Sequence, residues 1–143
     1  MAVVFLASDH AGFVLKEFLK KHLQDKAHQV TDLGPDQPIA VDYPDSARAV
    51  CLKVIAEPCS FGILLCGSGI GMSMAANRHP EIRAALCATE YHARLGRMHN
   101  NANVLCLGER ITGSHLAASI ADVFLTAEFE GGRHLRRIAL FSE

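Results

Sequence analysis

Short apolar runs alternate with stretches of helical spacing along the whole chain. Val3 to Ala7 is uninterruptedly apolar and predicts a buried strand. Over residues 11–26, Val14, Leu15, Phe18, Leu19 and Leu23 recur on one side, with Lys16, Glu17, Lys20, Lys21 and Gln24 on the other. That spacing predicts an amphipathic helix with the first set toward the core and the second in solvent. Gln29 to Leu33 reads as a second, weaker strand closed by Gly34-Pro35, and residues 34–44, rich in Pro, Asp and Gly, as a loop. From Asp45, Ala47, Val50, Cys51, Val54 and Ile55 mark a helix that Pro58 ends. Phe61 to Leu65 is a third strand. It runs into Cys66-Gly67-Ser68-Gly69-Ile70-Gly71 and a short helix through Asn77. A fourth strand is expected over 82–87 and a helix over 90–98, with Thr89 as its N-cap. Val104 to Leu107 predicts the fifth strand, and residues 113–127 a helix with Leu116, Ile120 and Phe124 aligned. A last helix is expected over 132–141.

The alternating order of strand and helix predicts the α/β class, a parallel sheet of five strands with helices on both faces, as one domain over 1–143. Ligands of such sheets bind beyond the C-terminal ends of the strands. Asp9 and His10 follow the first strand, and Cys66 with its glycines follows the third. His99 and Asn100 instead precede the fifth, which assigns them to the opposite edge of the sheet.

Composition narrows the function. The 143 residues are 50% apolar and 20% charged, with a net charge of -1. A chain of this length buries roughly 70% of its unfolded surface and needs neither disulfide nor metal to hold a core. No basic excess favours nucleic acid, and with no Trp and two Tyr there is little surface on which bases or a flavin could stack. The five cysteines, at 51, 59, 66, 87 and 106, are odd in number and lack any C-x-x-C spacing, which argues against a disulfide framework and a zinc knuckle. Reduced thiols in a cytoplasmic protein are the simplest reading. The N-terminus lacks a basic region before its short apolar run and does not read as a signal peptide. No apolar run approaches the roughly 18 residues of a membrane span.

Four segments could carry chemistry. In Cys66–Gly71, glycines at alternate positions between strand and helix can aim backbone N–H groups at an anion, in a field that favours a thiolate at Cys66. The plain alternative is a tight turn beside an inert cysteine. Ser8-Asp9-His10 offers a carboxylate and an imidazole for proton transfer, or simply a helix cap at Asp9. Arg133 and Arg137, four residues apart, can grip a phosphate dianion from one helix face or be a solvated face. His99-Asn100 can meet a substrate oxygen or cap a helix. No His, Cys and carboxylate set has metal-ligand spacing, so no metal is expected.

Taken in order, Asp9-His10-Ala11-Gly12, Asp42-Tyr43-Pro44, Cys66-Gly67-Ser68-Gly69-Ile70-Gly71, Ala75-Ala76-Asn77-Arg78, Arg83-Ala84, His99-Asn100, Asn103-Val104-Leu105, Gly108 and Gly131-Gly132-Arg133-His134 resemble type B ribose-5-phosphate isomerases. That family includes allose-6-phosphate and galactose-6-phosphate isomerases, and the resemblance spans nearly the whole chain. It implies a Rossmann-like doubly wound fold, no cofactor, and a homodimer or dimer of dimers with active sites between subunits, which would supply His99 from the partner. It implies aldose–ketose isomerisation of a sugar phosphate with Cys66 as the base. Ser68 stands where many relatives have Thr, and Met72 where relatives without the cysteine place a Glu. Asp9 and His99 would assist ring opening, and Asn100 would bind substrate oxygens. His10, Arg133 and Arg137 would bind the phosphate, joined by Arg110 from the partner subunit. Gly67, Gly69 and Gly71 would offer N–H groups to the enediolate oxygen. Hexose 6-phosphates remain the rival substrates. A non-catalytic phosphosugar sensor is the rival class, and it would have no need of Cys66, Asp9 and His99 together.

Overall fold

The computed structural model describes residues 1–142. Five strands, β1 (Val3–Ser8), β2 (Gln29–Asp32), β3 (Phe61–Cys66), β4 (Ala84–Leu86) and β5 (Val104–Gly108), form one parallel sheet in the order β2-β1-β3-β5-β4. Side chains alternate across it with period two. One face carries Val4, Leu6, Ile63, Leu65, Leu105 and Leu107, covered by α1 (Phe13–Asp25), α4 (Glu90–Asn100) and α5 (Ser114–Thr126). The other carries Phe5, Ala7, Leu64, Cys66, Val104 and Cys106, covered by α2 (Tyr43–Ala56) and α3 (Ile70–Ala76). A last helix, α6 (Arg133–Ala139), packs against α4. The expected α/β class and doubly wound sheet are what the structure has.

From β1 the chain turns outward to β2 and later crosses to β3 on the other side. The gap between β1 and β3 is therefore the switch point at which open α/β sheets bind ligands. The main chain is stitched together there. Asp9 N–H donates to Leu65 O (3.2 Å), Glu109 N–H to Cys66 O (2.9 Å) and Arg110 N–H to Gly67 O (3.0 Å). Two glycines permit this closeness. A Cβ on Gly12 would stand 2.6 Å from Leu65 C, and one on Gly108 would stand 2.5 Å from Ser68 C. Glu109 also accepts from the Leu15 N–H at 2.6 Å, satisfying a free amide in the first turn of α1.

One helix start and two helical faces differ from expectation. Residues 10–12 form a 3-10 turn before α1 begins, capped by Asp9, whose Oδ1 accepts from Gly12 N–H at 3.0 Å. Within α1, Leu15, Leu19 and Leu23 are buried as expected, but Val14 is 70% exposed and Lys16 is fully buried, the reverse of the reading at those two positions. Lys16 Nζ lies 2.7 Å from Asp32 Oδ2 at the end of β2 and 2.8 Å from Pro35 O, so it ties the helix to the loop that leads to α2. In α5, Leu116 faces outward while Ala117, Ala118, Ile120, Ala121 and Phe124 are buried, because the alanines allow close approach to α4. Thr89 caps α4 as expected, accepting from His92 N–H at 3.1 Å.

Burial opposes the charge of Asp32, but hydrogen bonds from Lys16, Lys20 and Gly34 N–H outweigh it and hold the carboxyl below the usual range. A folded pKa below the unfolded one means stabilisation that is complete above the unfolded value and lost as pH falls through the folded one. Asp32→Asn should therefore cost about 2 kcal/mol at pH 7, because it takes one of two carboxylates from the buried Lys16 and leaves only Glu17, at 3.0 Å. In urea unfolding followed against pH, the gap from the unsubstituted protein should start to narrow below about pH 4 and close only as pH falls through the lower folded value.

Candidate active site

A cleft of about 590 Å³ opens at the switch point, lined by Asp9, His10, Tyr43, Cys66, Gly67, Ser68, Gly71 and Arg110, with Ile70, Met74 and Ile111 at its apolar border. Cys66 ends β3 at the floor and is 5% exposed. Its Sγ accepts the Gly69 N–H at 3.1 Å. That bond needs the left-handed turn at Gly69 (φ +79°), where any Cβ would also strike Leu86 at 2.6 Å. A sulfur held by an N–H donor at the head of a helix is suited to carrying negative charge. The Gly69 N–H is consequently not free for a substrate oxyanion, contrary to the reading of Gly67 to Gly71 as a run of open donors. The next N–H, of Ile70, donates to Ser68 Oγ at 3.2 Å.

Arg110 lies in this same cleft of its own chain, beside Gly67. Its assignment to a partner's site is corrected to that extent, since its backbone bond to Gly67 O fixes it here. Tyr43, which sequence reasoning passed over, closes the cleft from α2. Its ring would be 2.7 Å from a Cβ at Gly71, so the third glycine of the turn makes room for the phenol. The pairing of Asp42-Tyr43-Pro44 with that glycine was the only signal for it in the chain.

The other expected residues form a second group. His99 and Asn100 end α4, ahead of β5, and Arg133 and Arg137 are exposed on α6, which packs on α4. Gly108, at the far end of β5, pairs with Cys66. The length of β5 alone thus separates the two groups by roughly 13 Å. Asn100 lines a separate cavity of about 470 Å³ with Asn77, Arg83 and Phe141. Within one chain, then, Asp9, His10, Cys66, Gly67, Ser68, Gly69, Gly71 and Arg110 come together. His99, Asn100, Arg133 and Arg137 do not join them.

Sequence reasoning also missed two neighbours of His99. His134 is buried, and its ring stacks on His99 with centroids 4.5 Å apart and planes 16° off parallel. Glu130 Oε2 lies 3.4 Å from His134 Nε2 and 3.9 Å from His99 Nε2. These three are the one group of potential metal ligands among the described residues. Stacked rings hold their nitrogen lone pairs in nearly parallel planes, so the pair as built does not converge on one ion.

The remaining thiols are of another kind. Burial pushes Cys51 up to about 12 and Cys87 up to about 11, and it raises Cys106 well above the usual thiol range. Cys59 is exposed. No helix is long and apolar enough to cross a membrane, among the described residues.

A parallel α/β sheet with a cysteine and a carboxylate at its switch point defines the class, and comparison with known proteins places the chain within it. Residues 4–141 match the family model described as Ribose/Galactose Isomerase, and the chain belongs to that family. It is 42% identical over 138 residues to ribose-5-phosphate isomerase B of Escherichia coli, covering 96% of this chain and 93% of the relative. The crystal structure of a ribose 5-phosphate isomerase from Thermotoga maritima superposes with a TM-score of 0.96 at 50% identity, covering 99% of this chain and 97% of that one. That of ribose-5-phosphate isomerase B from Mycoplasma genitalium with bound ribulose-5-phosphate gives 0.94 at 46% identity, covering 98% and 93%.

Proposed function

We propose that this chain is an aldose–ketose isomerase that interconverts ribose 5-phosphate and ribulose 5-phosphate through a cis-enediolate. The observation that carries the reading is Cys66, set at the floor of the switch-point cleft with an N–H donor on its sulfur and Asp9 and His10 on the rim. Family membership supports the same chemistry.

The sugar ring must first open. Asp9 and His99 pass protons between the ring oxygen and the anomeric hydroxyl, leaving an aldehyde at C1. The Cys66 thiolate then takes the proton from C2, and the electron pair moves toward C1 and its oxygen, giving the enediolate. Returning the proton to C1 while the O2 proton passes to O1 yields the ketose. Donors set around the developing oxyanion before reaction lower this barrier. Ser68 Oγ and the N–H groups of Gly67 and Gly71 are the candidates. His10, Arg133 and Arg137 bind the phosphate, and Arg110 adds its charge to the cleft of its own chain. Phosphate binding uses remote energy to align the reacting carbons.

The assembly is part of the proposal. Cys66 and His99 lie at opposite edges of one sheet, so a complete site takes Cys66 from one protomer and His99, Asn100, Arg133 and Arg137 from its partner. A homodimer, or a dimer of dimers, satisfies this with two equivalent sites. Exposed Ile70, Met74 and Ile111 beside the cleft supply apolar surface for the contact. Five free cysteines suit a reducing compartment, the cytoplasm.

The test is turnover of ribose 5-phosphate in the presence of EDTA, with allose 6-phosphate run in parallel. Clear pentose turnover is expected. Turnover of the hexose alone would keep the mechanism and overturn the substrate, and silence on both would overturn the reading.

A further inference from the structure

His99 is a partly exposed side chain in the last turn of a helix, where an unrestrained imidazole samples several rotamers. Here it is restrained twice. The buried ring of His134 fixes its plane by stacking, and a single oxygen of Glu130 sits at the Nε2 edge of both rings. The placement of Glu130 is not left to its side chain. Its backbone N–H donates to Met98 O at 3.0 Å, one residue before His99. Three residues earlier, Ala127 O accepts from Arg97 Nε at 3.4 Å. The segment from 127 to 130 is thus fastened at both its ends to the two residues of α4 that precede the histidine. Among the described residues, Glu130 is the one carboxylate within ion-pair reach of either ring.

We propose that Glu130 is a positioning residue. Together with His134 it holds His99 in one orientation and so presents it for ring opening in the partner's cleft. This rests on the reading of His99 as a ring-opening group. At 3.9 Å the Glu130–His99 contact is an ion-pair distance rather than a hydrogen bond, and it has room to tighten when substrate binds. Loss of the carboxylate should slow ring opening and leave the proton transfer at Cys66 untouched, because the two steps use opposite halves of the site.

That separation provides the test. Ribulose 5-phosphate has no hydroxyl free to close a furanose ring, so exchange of its C1 proton with solvent deuterium needs Cys66 and the enediolate but no ring step. In Glu130→Gln, turnover of ribose 5-phosphate should fall about tenfold, less than the roughly hundredfold or more that a proton-transfer group itself contributes, because Glu130 acts only through His99. C1 exchange should stay within about twofold of the unsubstituted enzyme. Glu130→Asp keeps the charge and should recover part of the loss, which answers any doubt about folding of the amide variant. Unchanged ribose turnover in Glu130→Gln, or an equal fall in turnover and exchange, would overturn the proposal. Full ribose turnover in His99→Ala would instead overturn the role of His99 on which it rests.

Discussion

Replacing Cys66 with alanine lowers kcat for ribose 5-phosphate by at least about a hundredfold, the smaller end of what a positioned base contributes. No neighbour can take over. Cys106, on the same sheet face, pairs with Leu64 rather than Cys66, is fully buried, and has its thiolate strongly disfavoured. The acid that would stand in for the cysteine at position 72 is absent, since Met72 is buried in the core there. The loss should fall on kcat rather than KM, because the phosphate is held by other groups. Folding should survive, because the truncation removes a single sulfur. An unchanged urea midpoint by circular dichroism would confirm that. Near-normal turnover in the alanine variant would remove Cys66 from the mechanism.

The second large effect concerns two inactive proteins. Cys66→Ala and His99→Ala chains, each nearly silent alone, should regain activity when mixed and allowed to exchange subunits. In a mixed dimer one site unites both substitutions and is dead, while the other unites an intact Cys66 with an intact His99. Random pairing makes half the dimers mixed, each with one working site of two, so about a quarter of the unsubstituted activity returns. The outcome follows from the length of β5 between the two groups together with the proposed assembly, in which each site draws on both protomers. If both residues served within one chain, every site would carry one lesion and mixing would restore nothing. Measuring turnover before and after mild denaturation and refolding of the mixture decides the matter.

Much of the fold was legible because its signals are local. The runs at Val3, Phe61 and Val104 are apolar without alternation, as strands covered on both faces must be, and the turn glycines mark where they end. The separation of His99 from Cys66 was legible too, because chain order around a parallel strand assigns each residue to one edge. What escaped was set by partners distant in sequence. Lys16 sits among polar residues of a helix, and only the position of Asp32 on the neighbouring strand draws it inside. Leu116 yields the core to smaller alanines because α4 lies so close. The Gly69 N–H looked open to substrate because a glycine pattern does not reveal that a sulfur three residues back will claim it. Arg110 gave no sign of its side until its amide was seen bonded to Gly67. Glu130 and His134 form a unit with His99 only after two turns of chain have folded back onto α4.

The raised thiols of the interior have a practical consequence for chemical labelling. Alkylating reagents attack the thiolate and require access. At neutral pH the Cys51 and Cys87 thiols, at about 12 and about 11, expose almost no thiolate, and burial disfavours the Cys106 thiolate as well. Cys59 is open on the surface, and Cys66, though only 5% exposed, lies at the floor of a cleft that a reagent such as iodoacetamide can enter. The native protein thus carries one indifferent reporter and one that a bound sugar phosphate would shield. The ratio of the two adducts by mass then counts occupied sites without any assay of turnover.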